Sequence, residues 1–544
     1  MVVPARCFVT FLLLTLAGAS PVQPQPPCTT SRESSGTRVT TPLGVAQGTV
    51  PVNGASRFAV KYASAQRWRD PVVASTWEIP NNSSDPTALP LACPQSTLDP
   101  SEFSEDCLSM LLYVPTAVTV SSRLPVFLWI HGGSFIYGSA TAPGLDGTNL
   151  AKATSAIVIV VQYRLGALAF NSPDGRTNFA VRDIVASLQF LHKVATSFGG
   201  DASKITIAGQ SSGANLIRAL LAAPSVAPLF QSAILHSDPM DYGFLSTSVQ
   251  SKLQDYFNEQ VNCSATDTSC ALSLPLGAIL SASDMLFDNA VNIDPSATRS
   301  EPMRPVHDGT LITSTLDSTT HFPKVSKAVI LSTVLDEAGP AIYGQFTDPM
   351  STSFYEEMVH ASFEEPRASN LLASSHYKVP VLRDGGAADA RVQLEKMGSD
   401  QVWRCSTWSF ARSWTQNGGK AYVAQYTVGA TYPDNQGIPY CTRAGVVCHE
   451  DDIQIVFGTA NSPSPTQSSL IREVQARYKS FLLTGNPNPS ASSSGTSFPQ
   501  WSPATTGNFS AQNLGTRGTT AIGACNTQFW GTISVPYDYQ VFGI

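Results

Sequence analysis

The chain has 544 residues, 42% of them hydrophobic and 13% charged, and a formal net charge of −7. That composition supports a large buried core and excludes an intrinsically disordered chain. It also excludes a protein that holds nucleic acid through clustered Lys and Arg, since no basic run occurs anywhere in it.

In chain order, residues 1–19 read as a secretory signal peptide. Arg6 supplies the positive end, Phe8 to Leu16 form a short apolar stretch, and Ala17-Gly18-Ala19 is a small-x-small cleavage pattern. The apolar stretch is too short to cross a bilayer, which takes roughly 20 apolar residues. No later run reaches that length, so a secreted, extracellular protein without a transmembrane anchor is expected. Residues 20–37, rich in Pro, Ser, Thr and Gly, read as a flexible mature N-terminus. Residues 38–544 contain no repeat and no linker, and read as one domain.

Export permits disulfides, and the chain has ten cysteines. Losing Cys7 with the signal leaves an odd number, so at least one is free or pairs between chains. Three pairs lie close in sequence: Cys93 with Cys107, Cys263 with Cys270, and Cys441 with Cys448. Cys28, Cys405 and Cys525 are left without an assignable partner. Glycosylation sequons stand at Asn81, Asn82, Asn262 and Asn508, the first two overlapping so that one of them is expected to be used.

Five apolar runs have the length and β-branched content of buried parallel strands: 124–130, 156–162, 205–208, 328–334 and 421–427. Between the second and third, Val181, Ile184, Leu188, Leu191 and Ala195 are spaced for one face of a helix. Strands alternating with helical segments predict an α/β fold, in which chemistry gathers at the carboxyl ends of the strands. Residues 462–468 and 486–497 read as low-complexity loops.

Candidate chemistry follows those strand ends. The third strand runs into Gly209-Gln210-Ser211-Ser212-Gly213 and then into a helical stretch. The pentapeptide alone carries little weight in a chain with 38 glycines. Between a strand and a helix, however, it describes a sharp turn that lifts Ser211 above a sheet as a nucleophile. The first strand ends in His131-Gly132-Gly133-Ser134, a glycine-rich turn suited to an oxyanion hole, with another N–H expected from Ser212. His131 itself reads as structural. Of eight histidines, His449 follows the last strand and sits beside Cys448, where a base belongs if the order is Ser, acid, His. The fourth strand ends in Asp336-Glu337, and either carboxylate could orient the imidazole.

Together these residues resemble the type-B carboxylesterase/lipase family, which includes cholinesterases and fungal lipases, over most of the mature chain. Ser104-Glu105-Asp106-Cys107-Leu108 is similar to its S-E-D-C-L signature, with Cys93 matching the disulfide partner. Val161-Gln162-Tyr163-Arg164-Leu165-Gly166 resembles N-Y-R-L-G, and Phe198-Gly199-Gly200-Asp201 resembles F-G-G-D. The resemblance implies an α/β-hydrolase fold, a mostly parallel sheet flanked by helices, forming the catalytic domain. It implies Ser211, Glu337 and His449 as catalytic triad, selecting Glu337 over Asp336 through the D-E-G pattern, here with Ala338 inserted before Gly339. It places the oxyanion donors on Gly133, Ser134 and Ser212, matches Ser237 to a serine that supports the triad, and matches Phe244 to an aromatic near the acyl pocket.

Two departures shape the expectation. Gln210 stands where cholinesterases carry Glu, and the segment between Cys93 and Cys107 is short and lacks Trp. The first removes a carboxylate beside the triad, and the second removes both an aromatic face for choline and a lipase lid. The expected activity is that of a compact carboxylesterase acting on a small-molecule ester, with no metal or organic cofactor implied. The rival readings are a lipase or sterol esterase, and a non-catalytic binding protein on the same fold.

Overall fold

A computed structural model describes residues 38–521 and Cys525, apart from residues 117, 299, 318–319, 364, 382–387, 491–497 and 506–509. Residues 1–19, expected to be a signal peptide, residues 20–37 with Cys28, and Asn508 therefore lie outside the described residues.

The central sheet has ten strands: β1 (Ala55–Lys61), β2 (Ser109–Pro115), β3 (Leu124–Ile130), β4 (Ile157–Val161), β5 (Gly200–Gln210), β6 (Ser232–His236), β7 (Ala328–Val334), β8 (Lys420–Tyr426), β9 (Ser510–Leu514) and β10 (Thr519–Ala521). Their spatial order is β1-β2-β4-β3-β5-β6-β7-β8-β9-β10. From β4 to β9 every pairing is parallel, and antiparallel pairs close the two ends. This is an α/β-hydrolase sheet. Central strands covered on both faces must be apolar throughout, which is why β4 reads Ile-Val-Ile-Val-Val with every residue buried.

Among the helices are α1 (Phe179–Val194), α2 (Ser212–Leu221), α3 (Arg391–Gly398), α4 (Ser406–Gln416) and α5 (Pro465–Thr484). In α1 the residues at helical spacing, Val181, Ile184, Leu188 and Leu191, are all buried. A π-helical turn, Ser399–Cys405, joins α3 to α4. Such a turn widens the helix by one residue and often marks a functional position; no sequence pattern announced it.

The loop expected over 462–468 is a correction. Ser464 caps a 20-residue helix, its hydroxyl accepting from the Gln467 N–H while the Gln467 side chain accepts from the Ser464 N–H. Pro465 at the first helical position costs no hydrogen bond. The Ser/Pro richness that suggested a loop is the composition of a helix start.

The family-like motifs resolve into structural fastenings. Arg164 meets Asp183 of α1 in a buried bidentate pair at 2.8 and 2.6 Å. The Tyr163 hydroxyl donates to the His131 carbonyl at 2.8 Å. Glu105 receives both arms of Arg67 at 2.6 Å. Four disulfides join Cys93 to Cys107, Cys263 to Cys270, Cys441 to Cys448, and Cys405 to Cys525. The last spans 120 residues, a separation too long for sequence proximity to suggest. Among the described residues no helix is long and apolar enough to cross a membrane.

Candidate active site

Parallel register brings the carboxyl ends of the middle strands to one edge. Ile130 pairs with Gly209, Gln210 with His236, His236 with Ser332, and Val334 with Tyr426. The turns that follow β3, β5 and β7, together with the longer loop after β8, therefore emerge side by side.

Ser211 follows β5 directly and precedes α2, with φ 57° and ψ −129°. A residue with a Cβ rarely occupies that region, and holding it there stores strain. The flanking glycines explain how the turn is achieved. A Cβ on Gly209 would run into the carbonyl of Ile130, and one on Gly213 into the carbonyls of Ile130 and His131. The strand-to-helix turn thus lies against the β3 backbone, and only glycine allows that approach. The Ser211 N–H donates to the His236 carbonyl at 2.9 Å, tying the turn to β6.

Gly133 adopts φ 107°, and a side chain there would strike the backbone of Tyr137. Neither Gly133 nor Ser134 donates its N–H within the protein, among the described residues. Ser212 is the first residue of α2, so its N–H has no partner inside the helix. Gly133, Ser134 and Ser211 line one cavity of about 320 Å³.

Past β7 the two adjacent carboxylates part company. Glu337 Oε1 accepts from the Val334 N–H at 2.8 Å, and Oε2 accepts from His449 Nδ1 at 2.6 Å. Asp336 faces the other way, accepting from the Tyr440 hydroxyl and the Val447 N–H at 2.9 Å each. The loop carrying His449 is pinned by the Cys441–Cys448 disulfide and by Asp451, which accepts from the N–H groups of Tyr432 and Cys448 and from the Asn435 amide. Burial by itself lowers the His449 pKa. The hydrogen bond and charge of Glu337, with the charges of Glu450 and Asp452, outweigh that and raise it.

The other ring nitrogen is already engaged. Gln210 Nε2 donates to His449 Nε2 at 3.0 Å, and no hydrogen bond joins the Ser211 hydroxyl to the imidazole. The sequence singled out Gln210 for the charge it lacks, not for this contact. Trp403, from the π-helical turn, packs 5.4 Å from the His449 ring and donates to the Ser237 carbonyl at 3.1 Å. Ser237 itself is buried, and its hydroxyl has no hydrogen-bond partner.

Behind the turn, His236 is fully buried between Asp452 at 2.7 Å and the Tyr478 hydroxyl at 2.7 Å. His131 stacks on Tyr163, and burial holds its pKa down at about 4. Phe244 lies under the Arg218 guanidinium at 4.9 Å and does not line the cavity. Among the described residues the one cluster with metal-ligand spacing is Asp400, Cys405 and Cys525, whose cysteines are bonded to each other.

Of the sequons, Asn81 is committed on both sides of its amide, donating to the Leu89 carbonyl at 2.8 Å and accepting from the Leu91 N–H at 3.3 Å. Asn82 and Asn262 are exposed.

A model of the carboxylesterase family matches residues 36–530. Carboxylesterase 1D of Mus musculus is 24% identical over 487 residues, covering 82% of each chain. Para-nitrobenzyl esterase of Bacillus subtilis is 35% identical over 216 residues, covering 37% of this chain and 43% of its own. The Crystal protein of Dictyostelium discoideum is 27% identical over 406 residues, covering 71% of this chain and 69% of its own. Among solved structures, a PNB esterase superposes with a TM-score of 0.71 at 22% identity, covering 90% of this chain and 98% of that one.

Proposed function

Since the chain belongs to the carboxylesterase family and is a carboxylic ester hydrolase, we propose that it works through a covalent acyl-enzyme on Ser211. His449 takes the Ser211 proton at Nε2 as the hydroxyl oxygen attacks the ester carbonyl. Glu337 holds the imidazole by Nδ1 and stabilises the cation that forms. The N–H groups of Gly133, Ser134 and Ser212 receive the oxyanion. His449 then gives its proton to the departing alcohol, and water, activated by the same imidazole, releases the acid.

The observation that carries this reading is the 2.6 Å bond from His449 Nδ1 to Glu337. With Nδ1 donating to a carboxylate, a neutral ring presents the Nε2 lone pair, which is the one a base needs. For transfer to occur Nε2 must leave the Gln210 amide and turn to the hydroxyl. Unpaired backbone N–H groups in the cavity that holds Ser211 support the oxyanion assignment.

The substrate class that fits is a soluble small-molecule ester. Cys93 and Cys107 stand only 14 positions apart, which leaves no material for a long lid over the cavity. Secretion as a one-domain glycoprotein is part of the same proposal, supported by four disulfides and exposed sequons. A fluorophosphonate probe with peptide mapping tests the mechanism: label on Ser211, absent in Ser211→Ala, is expected. An unlabelled protein that still binds esters would instead be the non-catalytic binding protein. p-Nitrophenyl esters from acetate to palmitate test the substrate class; turnover of long chains alone, above their solubility limit, would make it a lipase.

A further inference from the structure

One wall of the catalytic cavity carries a carboxyl group that the reaction above does not use. Glu301 lines the same cavity as Ser211 and His449, is only 3% exposed, and its Oε2 has no hydrogen-bond partner. Buried polar atoms are nearly always satisfied, and an exception at a cavity wall points to something that occupies the cavity.

The surrounding charges do not satisfy it. Arg304 is close in sequence, but its guanidinium is spent on main-chain carbonyls, those of Ala297 at 2.6 Å, Glu301 at 2.8 Å, and Gly243 and Ser296 at 3.2 Å. Arg218 is paired with Asp238 at 2.9 Å. Among the described residues no ion pair reaches the Glu301 carboxyl. Burial, then the charge of Asp238, push its pKa up to about 8, against the pull of Arg304, His449 and Arg218. That upward shift favours the uncharged acid, which has one O–H to give and one carbonyl oxygen to receive. Ser300 and Tyr242 line the cavity beside it, so this wall is polar, whereas Ile342, Val402 and Ile438 line it elsewhere.

We propose that Glu301 is a specificity-determining residue of the ester site, and that it hydrogen-bonds a hydroxyl group carried by the substrate. The proposal rests on the reading of Ser211 as nucleophile. A hydroxyl complements a neutral carboxylic acid in both directions, accepting its proton and donating to its carbonyl. An alkyl group of the same length would leave the acid dry and unpaired. A site built to bond a hydroxyl rejects the analogue lacking one far more strongly than an apolar pocket discriminates by a methylene.

The test compares matched p-nitrophenyl and alkyl esters, with and without a terminal hydroxyl on the acyl arm and on the alcohol arm, and adds ammonium-bearing versions. The wild type is expected to favour the hydroxylated member on one arm, by on the order of 10⁴-fold in kcat/KM. Glu301→Gln, which keeps a donor and an acceptor, should retain most of that preference. Glu301→Leu should abolish it, bringing the kcat/KM ratio of the hydroxylated to the alkyl ester down to about one. Preference unchanged in Glu301→Leu, or no preference in the wild type, overturns the proposal. So does a preference for ammonium esters that Glu301→Gln destroys, since that would make Glu301 a carboxylate for cations. Fluorophosphonate labelling of Ser211 in each variant keeps the outcomes separate: label retained with altered preference concerns Glu301, whereas no label even in the wild type removes the nucleophile reading itself.

Discussion

Gln210 and His449 are joined side chain to side chain, the amide donating to Nε2 at 3.0 Å. A residue adjoining the candidate nucleophile thus occupies the nitrogen that must receive the nucleophile's proton. The amide stabilises the neutral ring, because only the neutral ring has a lone pair there. Replacing it with a carboxylate reverses the sign. Gln210→Glu is expected to favour the imidazolium and move the acid limb of the kcat/KM profile upward by about one pH unit, worth about 1.4 kcal/mol. A profile superimposable on wild type would mean the contact has no influence on the base.

The two carboxylates after β7 should separate cleanly. Glu337→Gln removes the charge that raises the His449 pKa, so the acid limb should fall, and kcat should drop by up to about 10⁴-fold. Asp336→Asn should leave the profile in place and instead loosen the loop held through Tyr440 and Val447, costing about 1–3 kcal/mol of stability. Steady-state kinetics and urea unfolding on both variants decide which residue does which.

Beneath Glu337, the Ser399 hydroxyl accepts from the Ala338 N–H at 2.9 Å and donates to Glu395 at 2.6 Å. Burial, then the charge of Asp336, raise the Glu395 pKa to about 8. An unfolded Glu titrates near about 4.3. The folded state therefore binds the proton more tightly. Its contribution to stability is fully present below that value and is lost as pH rises through 8. The urea midpoint should fall from pH 5 to pH 8, and Glu395→Gln should flatten that slope. An unchanged slope would show that Glu395 is already ionised at pH 5.

Removing the Cys405–Cys525 bridge should destabilise more than removing Cys263–Cys270. The first closes 120 residues and the second seven. In the chain-entropy picture the longer loop is worth about 5 kcal/mol. Melting temperatures of Cys525→Ser and Cys270→Ser would rank them.

Asn81 uses its amide to hold Leu89 and Leu91, whereas Asn82 is free to accept a glycan. Mass spectrometry of protein expressed in a glycosylating host should find glycan lost in Asn82→Gln and kept in Asn81→Gln. The opposite pattern would mean the Asn81 bonds open before transfer.

What the sequence determined by itself is what local chemistry dictates. A strand covered on both faces must be apolar along its whole length, so β3 and β7 were legible to the residue. A turn that lies against a neighbouring backbone must be glycine, so the Ser211 elbow could be read with its flanking strand and helix. The start of α5 is equally local: the Ser464–Gln467 capping pattern marks it, although Ser/Pro composition by itself suggests a loop.

Tertiary structure decided the rest. Asp336 and Glu337 are adjacent and chemically alike; residue chemistry leaves the choice between them open, the D-E-G resemblance implies Glu337, and the path of the loop from β8 brings the imidazole to it. Gln210 and His449 are 239 residues apart, Cys405 and Cys525 are 120 apart, and Glu301 reaches the cavity from a segment without any motif. Such contacts depend on where the fold folds back on itself, and a side chain's type does not encode its distant partner.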